Sequence, residues 1–296
     1  MSNRLTCHAM KQSLYRPWLR TFARGTVAST TLLLAAALGA SAAHADSTLD
    51  RIHERHKLVV GVILSGPPFG SLDPATQKPL GFNVDLAENL AKHLGVDIEM
   101  IPVQPSNRVQ FLQQGKVDAL IANMEVTEER AQILAYPPTP FEEIGGALIT
   151  RKDSGIKTWN DLRGKAVCVS QGSNYTKPLT EQYGAQVKAF RGQPESLLAL
   201  RGNNCVAAVH VAPTLRLLVA RNPDWKDYTI PVSNDLIPSP SVIWVRKGET
   251  DTQNAFEKVV EDWHRSGWLI DTERKNGMQP SQAVLDLHAK FKAQPA

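Results

Sequence analysis

The sequence predicts an α/β fold of two similar lobes, each built on a doubly wound sheet. Short apolar strands alternate with amphipathic helices from residue 57 onward, which is the pattern of parallel sheets. The same alternation restarts after residue 151, and two short proline-containing segments, 137–141 and 237–241, lie between the two halves. Paired short crossovers suit a hinge, so the sequence predicts a cleft between two lobes. We expect residues 46–142 and 242–296 to form lobe 1, and residues 143–241 to form lobe 2.

The first unit starts with an apolar strand over 58–62. A helix is predicted over 83–94 because apolar residues recur there at helical spacing and Gly95 supplies a stop. A strand over 96–102, a short helix over 108–114 and a strand over 117–122 complete the unit.

The second unit repeats the alternation. Strands are predicted over 147–151, 165–169, 186–190 and 206–211, and helices over 158–162, 174–183 and 194–200. A last strand over 242–246 and a helix over 252–266 then follow, beyond the point where the second lobe is complete.

The net charge of +4 belongs to the first 45 of the 296 residues. These residues hold five of the 33 Lys and Arg and none of the 29 Asp and Glu, which leaves 28 bases and 29 acids, a charge of −1. A basic segment ending at Arg24, an apolar run over 27–38 and the small residues Ala43-His44-Ala45 are typical of a cleaved signal peptide. The apolar run is well short of the roughly 20 residues that a membrane anchor needs. We therefore expect cleavage after Ala45, a periplasmic location and no nucleic-acid partner.

The two cysteines after the leader, Cys168 and Cys205, lie in apolar runs that predict buried strands. Buried free thiols and a disulfide remain equal alternatives. The motifs of serine hydrolases, zinc proteases, P-loops, dinucleotide-binding folds and redox pairs are missing from the sequence. His53 and His56 form a possible metal pair, but the stretch is charged and no third ligand accompanies it, so we expect neither a metal nor a cofactor.

Polar residues follow two predicted strands, where open α/β sheets bind ligands. The strand ending at residue 122 leads into Asn123, Met124 and Glu125. The strand ending at residue 169 leads into a second polar run, which contains Gln171, Gly172, Ser173 and Asn174. Backbone N–H groups at the start of a helix favour an anion, although Ser173 could equally be an N-cap.

Motifs along nearly the whole chain after the leader resemble the family 3 solute-binding proteins, the extracytoplasmic binding components of amino-acid ABC importers. They run in order as Gly66-Pro67-Pro68-Phe69, Leu80-Gly81-Phe82-Asn83-Val84-Asp85-Leu86-Ala87, Asn107-Arg108, Gln114-Gly115-Lys116-Val117-Asp118, Thr127-Glu128-Glu129-Arg130, Trp159-Asn160-Asp161-Leu162-Arg163-Gly164-Lys165 and Gln171-Gly172-Ser173. The resemblance implies the type II periplasmic binding protein fold, two α/β lobes joined by two hinge strands that close over a ligand.

The resemblance also assigns roles to residues. Arg130 is similar to the arginine that binds the ligand carboxylate. A planar guanidinium can make two parallel, charge-assisted hydrogen bonds to a carboxylate. The alternative is a surface arginine. Ser173 and the N–H groups of residues 172–174 resemble the other half of that clamp. Arg108 resembles the arginine that meets a second carboxylate in relatives with acidic ligands; the alternative is a solvated first-turn residue. Phe69 is expected to support the cleft wall or the core.

Two departures from the family concern the ligand. Gly66 and Pro105 stand where many relatives place an aromatic ring, and His210 stands near the end of a strand that normally ends in an aspartate for the ligand's amino group. An ammonium left unpaired in a closed cleft would cost several kcal/mol. Either Glu125 replaces that aspartate, or the ligand is an organic acid without an amino group and Glu125 is a solvated loop residue.

The resemblance predicts a monomeric binding protein for an amino acid or a related small carboxylate, with an ABC permease of the inner membrane as its partner. The alternative is an enzyme on the same scaffold, since secreted cyclohexadienyl dehydratases share it and a cleft glutamate could act as a general acid.

Overall fold

The computed structural model describes residues 48–294, so the predicted signal peptide lies outside the described residues. The strands in this range are β1 (Lys57–Val62), β2 (Ser71–Leu72), β3 (Pro79–Leu80), β4 (Asp97–Pro102), β5 (Ala119–Ile121), β6 (Leu134–Ala135), β7 (Glu142–Arg151), β8 (Ala166–Ser170), β9 (Gln186–Phe190), β10 (Ala207–Val211), β11 (Tyr228–Thr229), β12 (Leu236–Ser241) and β13 (Val245–Arg246).

The α-helices in the same range are α1 (Thr48–Glu54), α2 (Phe82–Leu94), α3 (Arg108–Gln113), α4 (Glu128–Ile133), α5 (Thr176–Glu181), α6 (Gln193–Arg201), α7 (Ala212–Arg221), α8 (Thr250–Ser266), α9 (Trp268–Lys275) and α10 (Gln282–Lys292). Two 3₁₀ helices cover Trp159–Leu162 and Pro223–Trp225. Between residues 48 and 294, none of the helices combines the length and the hydropathy needed to span a bilayer.

The first sheet is parallel, with strand order β4-β1-β5. Strand β1 is central and lies between a core on each face, which explains its unbroken apolar sequence. Helix α2 packs Leu86 and Leu90 into one of these cores and ends at Gly95, whose φ of 69° is the left-handed conformation expected of a glycine cap.

The second sheet has the order β11-β7-β10-β8-β9, and β12 also pairs with β7. Strands β8, β9 and β10 are parallel, whereas β7 runs antiparallel to β10. A disulfide joins Cys168 in β8 to Cys205 just before β10, with 5.7 Å between the Cα atoms. Of the two alternatives for these cysteines, the structure therefore has the bridge.

The two crossovers between the sheets are paired strands. The chain passes from the first sheet to the second through β7 and returns through β12. These two strands pair antiparallel, with Ser241 opposite Glu142. The strand predicted over 242–246 is present only in its last part, where Trp244 forms a bridge with Leu120 and β13 covers Val245–Arg246. Strand β12, at residues 236–241, was not predicted. Pro238 and Pro240 fit in β12 because it lies at the edge of its sheet, where a missing N–H breaks no ladder. The predicted lobe boundaries stay a prediction.

The helix predicted over 174–183 is shorter in the structure, where α5 spans Thr176–Glu181. The Ser173 hydroxyl accepts a hydrogen bond from the backbone N–H of Tyr175 at 3.2 Å, which holds residues 173–175 in a turn before the helix begins. Ser173 is therefore not the N-cap, which is Tyr175.

Candidate functional site

A small polar cavity lies where the carboxyl ends of strands from both sheets meet. Its volume is about 50 Å³, room for a few water molecules. The residues that line it are Ile63, Ser65, Pro105, Arg108, Asn123, Glu125, Ser170, Ser173, Asn174, Tyr175, Gln193, His210 and Val211. Most of them lie at the end of β1, β5, β8 or β10 or in the following loop, where open α/β sheets place their ligand sites.

Arg108 is the buried cation of the cavity. It is the first residue of α3 and only 3% exposed, so the interpretation as a solvated first-turn residue was wrong. Its Nη1 donates to the carbonyl oxygens of Ala122 at 2.5 Å and Asn123 at 2.8 Å. Burial, together with the charge of Arg130, lowers the pKa of Arg108 to about 9, so the guanidinium is still charged at neutral pH.

Glu125 is the buried anion of the cavity and is 1% exposed. The Tyr175 hydroxyl donates to its Oε1 at 2.5 Å, and Arg130 Nη1 lies 3.5 Å from its Oε2. Burial and the charge of Glu125 raise the pKa of Tyr175 well above its usual value, which keeps the phenol protonated as the donor. Glu125 is therefore not a solvated loop residue, the interpretation attached to an organic-acid ligand.

Arg130 bridges the two sides of the cleft and is not among the residues that line the cavity. It lies in the first turn of α4, where the Thr127 side chain caps its N–H at 3.2 Å. Nη1 donates to the Glu125 carbonyl at 2.6 Å, and Nη2 donates across the cleft to the Gly172 carbonyl at 3.0 Å. With 9% of its surface exposed, Arg130 is not a plain surface arginine.

Gly172 lies where the loops of the two sides approach each other closely. Its φ is +79°, and a Cβ built on it would lie 2.6 Å from the Pro105 carbonyl oxygen. A side chain at this position would strain the backbone and push the two loops apart. The glycine therefore permits both the turn after β8 and the contact across the cleft.

His210 is neutral. Its Nε2 lies 2.8 Å from the Ser196 hydroxyl, and its Nδ1 lies 3.4 Å from the Ser170 hydroxyl. Burial lowers the pKa of His210 to about 3, so the ring carries no charge at physiological pH. The strand that normally ends in an aspartate thus supplies an uncharged hydrogen-bonding group here.

Asn123, Ser173 and Asn174 also line the cavity, as predicted for the site. Asn123 has a φ of +49°, and its side-chain oxygen accepts a short hydrogen bond from Asn83. The side-chain nitrogen of Asn174 is buried and, among the described residues, has no hydrogen-bond partner. It is a free donor next to the cavity.

Four other predicted residues do not line the cavity: Gly172, described above, and three more. Phe69 is fully buried in the core, with its ring centroid 6.3 Å from that of Phe82. Met124 is buried too, and its carbonyl accepts from Trp244 Nε1 at 2.6 Å. Gln171 is exposed. Phe69 therefore supports the core, one of the two roles expected of it.

The sequence interpretation missed six residues of the wall, which are Ile63, Ser65, Ser170, Tyr175, Gln193 and Val211. Position at or just after a strand end could have indicated Ile63, Ser170 and Val211. Tyr175 gave no such signal, because its place depends on the turn before α5. Between residues 48 and 294, no group of three or more His, Cys, Asp or Glu side chains is placed to hold a metal ion.

Comparisons with known proteins identify the fold and the family of this chain. The L-cystine-binding protein TcyJ of Escherichia coli K12 is 29% identical over 228 residues, which cover 76% of this chain and 84% of TcyJ. A mutant of the arginine-binding protein ArgBP from T. maritima superposes with a TM-score of 0.70 at 31% identity, covering 77% of this chain and 98% of that chain. This likeness confirms the predicted type II periplasmic binding protein fold.

A third neighbour is the ancestral amino acid-binding protein AncCDT-1, described as a precursor of cyclohexadienyl dehydratase. Its TM-score is 0.68 at 25% identity, and the match covers 77% of this chain and 99% of that chain. The model of the family described as bacterial extracellular solute-binding proteins, family 3, matches residues 58–278. The chain therefore belongs to the bacterial extracellular solute-binding proteins of family 3.

Proposed function

We propose that this protein captures an amino acid or a related small carboxylate by closing its two lobes, and delivers it to an ABC importer. Arg108 is the observation that supports this most directly. A buried guanidinium needs a counter-ion. In the described part of the chain, the ion pair of Glu125 is with Arg130, and the charge of Glu125 offsets the burial of Arg108 only in part, since the pKa of Arg108 is still lowered to about 9. A ligand carboxylate would supply the missing partner.

The charges of the site favour an anionic ligand as well. Arg108 and Arg130 are positive, Glu125 is negative, and His210 and Tyr175 are neutral. After the one negative charge is set against the two positive charges, the site keeps a net charge of one positive unit. Ser173 and Asn174 line the same cavity, where the Asn174 side-chain nitrogen is a free donor, whereas the Ser173 backbone N–H already donates to the Ser170 carbonyl at 3.1 Å. Arg130 is proposed to grip the ligand once the lobes separate and its bond to Gly172 opens.

Lobe closure needs no covalent chemistry. Among the described residues, three polar contacts join the sides of the cleft: the Arg130–Gly172 hydrogen bond at 3.0 Å, the Tyr175–Glu125 hydrogen bond at 2.5 Å and the exposed Lys177–Glu129 ion pair at 3.5 Å. A ligand that adds contacts to both sides would favour the closed form in proportion to its differential affinity for that form. The closed form is what the permease is proposed to recognise.

Glu125 is proposed to receive an α-amino group. Its Oε2 has an arginine at 3.5 Å but retains lone pairs for an ammonium, and His210 offers no charge. Calorimetric titration of amino acids against their keto and hydroxy analogues tests the proposal. We expect Glu125→Gln to weaken amino-acid binding at least tenfold and to change binding of the analogues much less. If the analogues bind best to the unaltered protein, the ligand is an organic acid.

Location and partners are proposals as well. We propose that residues 1–45 are a signal peptide and that the mature, monomeric protein is periplasmic. Amino-terminal sequencing of the protein from a periplasmic extract should give Asp46 as the first residue. A first residue within the apolar run 27–38, or recovery with the membranes, would contradict the proposal.

An enzyme on this scaffold is the second candidate, because a buried carboxyl and a phenol meet in the cavity 2.5 Å apart and one neighbour is a dehydratase precursor. The test is turnover of prephenate and arogenate by the purified protein. Turnover that Glu125→Gln abolishes would establish the enzyme. Tight binding of a carboxylate without turnover would support the binding protein.

A further inference from the structure

A large groove lies beside the polar cavity and opens from it. We call it the side groove. Its volume is about 630 Å³, within the range of small-molecule sites, against about 50 Å³ for the cavity. Ser65 and Gln193 line both spaces, so they mark the passage between them.

The walls of the side groove are largely apolar and come from both sides of the cleft. Gly66 and Pro67, in the loop after β1, form one wall. The opposite wall contains the apolar residues Pro194, Leu197, Leu198, Leu217, Leu218 and Trp225, from α6, α7 and the second 3₁₀ helix, and two charged residues, Arg201 and Arg221, at the ends of α6 and α7. Leu198 is 69% exposed, more than any other large apolar side chain among the described residues. A single exposed leucine is common on protein surfaces, but several apolar side chains that line one groove are typical of a small-molecule site.

Gly66 keeps the passage open. A Cβ built on it would lie 3.5 Å from Thr214 Cγ2 and 3.8 Å from Gln193 Nε2, which are ordinary contacts, and its φ is not in the left-handed region. Alanine would therefore fit without strain. A bulky side chain would instead fill the space beside Gln193, between the cavity and the side groove.

We infer that the ligand has two parts: a carboxylate-bearing head that binds at Arg108, and an apolar aryl or branched-alkyl tail that lies in the side groove. The inference rests on the proposed function. The cavity is too small to enclose more than the head, and the space that continues from it past Ser65 and Gln193 is lined mainly by apolar side chains, with the two arginines at its edge. Burial of an aryl group in such a groove raises affinity at least tenfold.

Two matched pairs of probes test the tail. The first pair is L-glutamine and γ-L-glutamyl-p-nitroanilide, and the second, without an amino group, is butyrate and 4-phenylbutyrate. Calorimetry should show that the aryl member of at least one pair binds ten or more times more tightly than its partner. Gly66→Trp should reduce this ratio to about one, with little change in binding of the small member. Leu198→Asn should reduce the ratio threefold or more.

Control variants separate the groove from the fold. Gly66→Ala leaves the passage open, and Leu285→Asn changes a leucine of α10 that is 37% exposed and does not line the groove. Both should keep the full ratio. Circular dichroism and melting temperature should be unchanged in Leu198→Asn, since that side chain is already in water.

The outcomes distinguish this inference from the proposed function. If small carboxylates bind but an aryl tail adds nothing, or if Gly66→Trp keeps the ratio, the side groove does not hold the ligand and only this inference falls. If Leu198→Asn changes the oligomeric state and not the ratio, the groove is a contact between protein chains and the inference also falls. If none of the carboxylates binds, both proposals fall.

Discussion

Replacing Arg108 by methionine should change stability and binding in opposite directions. The side chain is 3% exposed, and burial lowers its pKa to about 9 from an ordinary value of about 12.5. At 1.36 kcal/mol for each pKa unit, keeping the guanidinium charged in the empty cavity costs roughly 5 kcal/mol. Methionine has nearly the same length and no charge, so Arg108→Met removes that cost.

Part of the gain is offset by hydrogen bonds. Arg108 Nη1 donates to the carbonyls of Ala122 and Asn123, and losing both bonds destabilises the fold by about 3 kcal/mol. We expect the ligand-free Arg108→Met variant to be about 2 kcal/mol more stable than the unaltered protein. Because the variant lacks the guanidinium that would pair with the ligand's carboxylate, the affinity of the variant for carboxylates should fall by about 2–5 kcal/mol.

Urea denaturation of the ligand-free proteins and calorimetric titration with the carboxylate panel measure the two effects. Arg108→Lys is the matched control, since it keeps a charge but not the planar fork, and it should retain part of the affinity. A variant that is less stable than the unaltered protein and binds carboxylates equally well would refute the reasoning, because Arg108 would then be a structural residue.

Three further predictions concern a contact across the cleft, a buried carboxyl group and the disulfide. Tyr175→Phe removes the hydrogen bond to Glu125 across the cleft and should lower ligand affinity about tenfold in calorimetry; equal affinity would mean that this contact does not stabilise closure. Burial raises the pKa of Glu273 to about 7, so the folded state binds the proton more tightly than the unfolded state and stability falls as pH rises from about 4.5 to 7. Glu273→Gln should abolish roughly 3 kcal/mol of that fall in urea denaturation series, and an unchanged pH profile would contradict the assignment. Replacing Cys168 and Cys205 by serine should lower the free energy of unfolding by about 2–4 kcal/mol with ligand affinity within twofold, and a large loss of affinity would show that the bridge shapes the site.

Elements with a strong local signal could be predicted from the sequence. The helix predicted over 83–94 is α2, which begins only one residue earlier. The prediction succeeded because apolar spacing and the stop at Gly95 together define this helix. The strand predicted over 186–190 matches β9. Prediction failed where pairing decided the structure. Pro238 and Pro240 indicated a short crossover, which the chain has, but they gave no sign that this crossover pairs with β7 as strand β12 at the edge of the second sheet.

The site was predictable to the extent that strand ends define it. Glu125 follows β5 in sequence, and the family resemblance indicated Arg108; both line the cavity. Partners across the cleft were not predictable, because no local pattern links Arg130 to Gly172 or Tyr175 to Glu125. These contacts depend on how two separate sheets approach each other, which the periodicity of one segment does not encode.

The side groove was beyond the reach of sequence interpretation for a related reason. Gly66 could be recognised only as a departure from relatives that carry an aromatic ring there. Its consequence, an open passage beside Gln193, needs the packing of α6 and α7 against the loop after β1.

Native mass spectrometry of the full-length protein, purified from its periplasmic extract without added ligand, tests the central claim most directly. We predict one bound small molecule that contains a carboxylate, is released on unfolding, and is missing from the Arg108→Met variant purified in the same way. A bound molecule without an anionic group, or the same carboxylate retained by the variant, would contradict the claim that Arg108 defines the binding site.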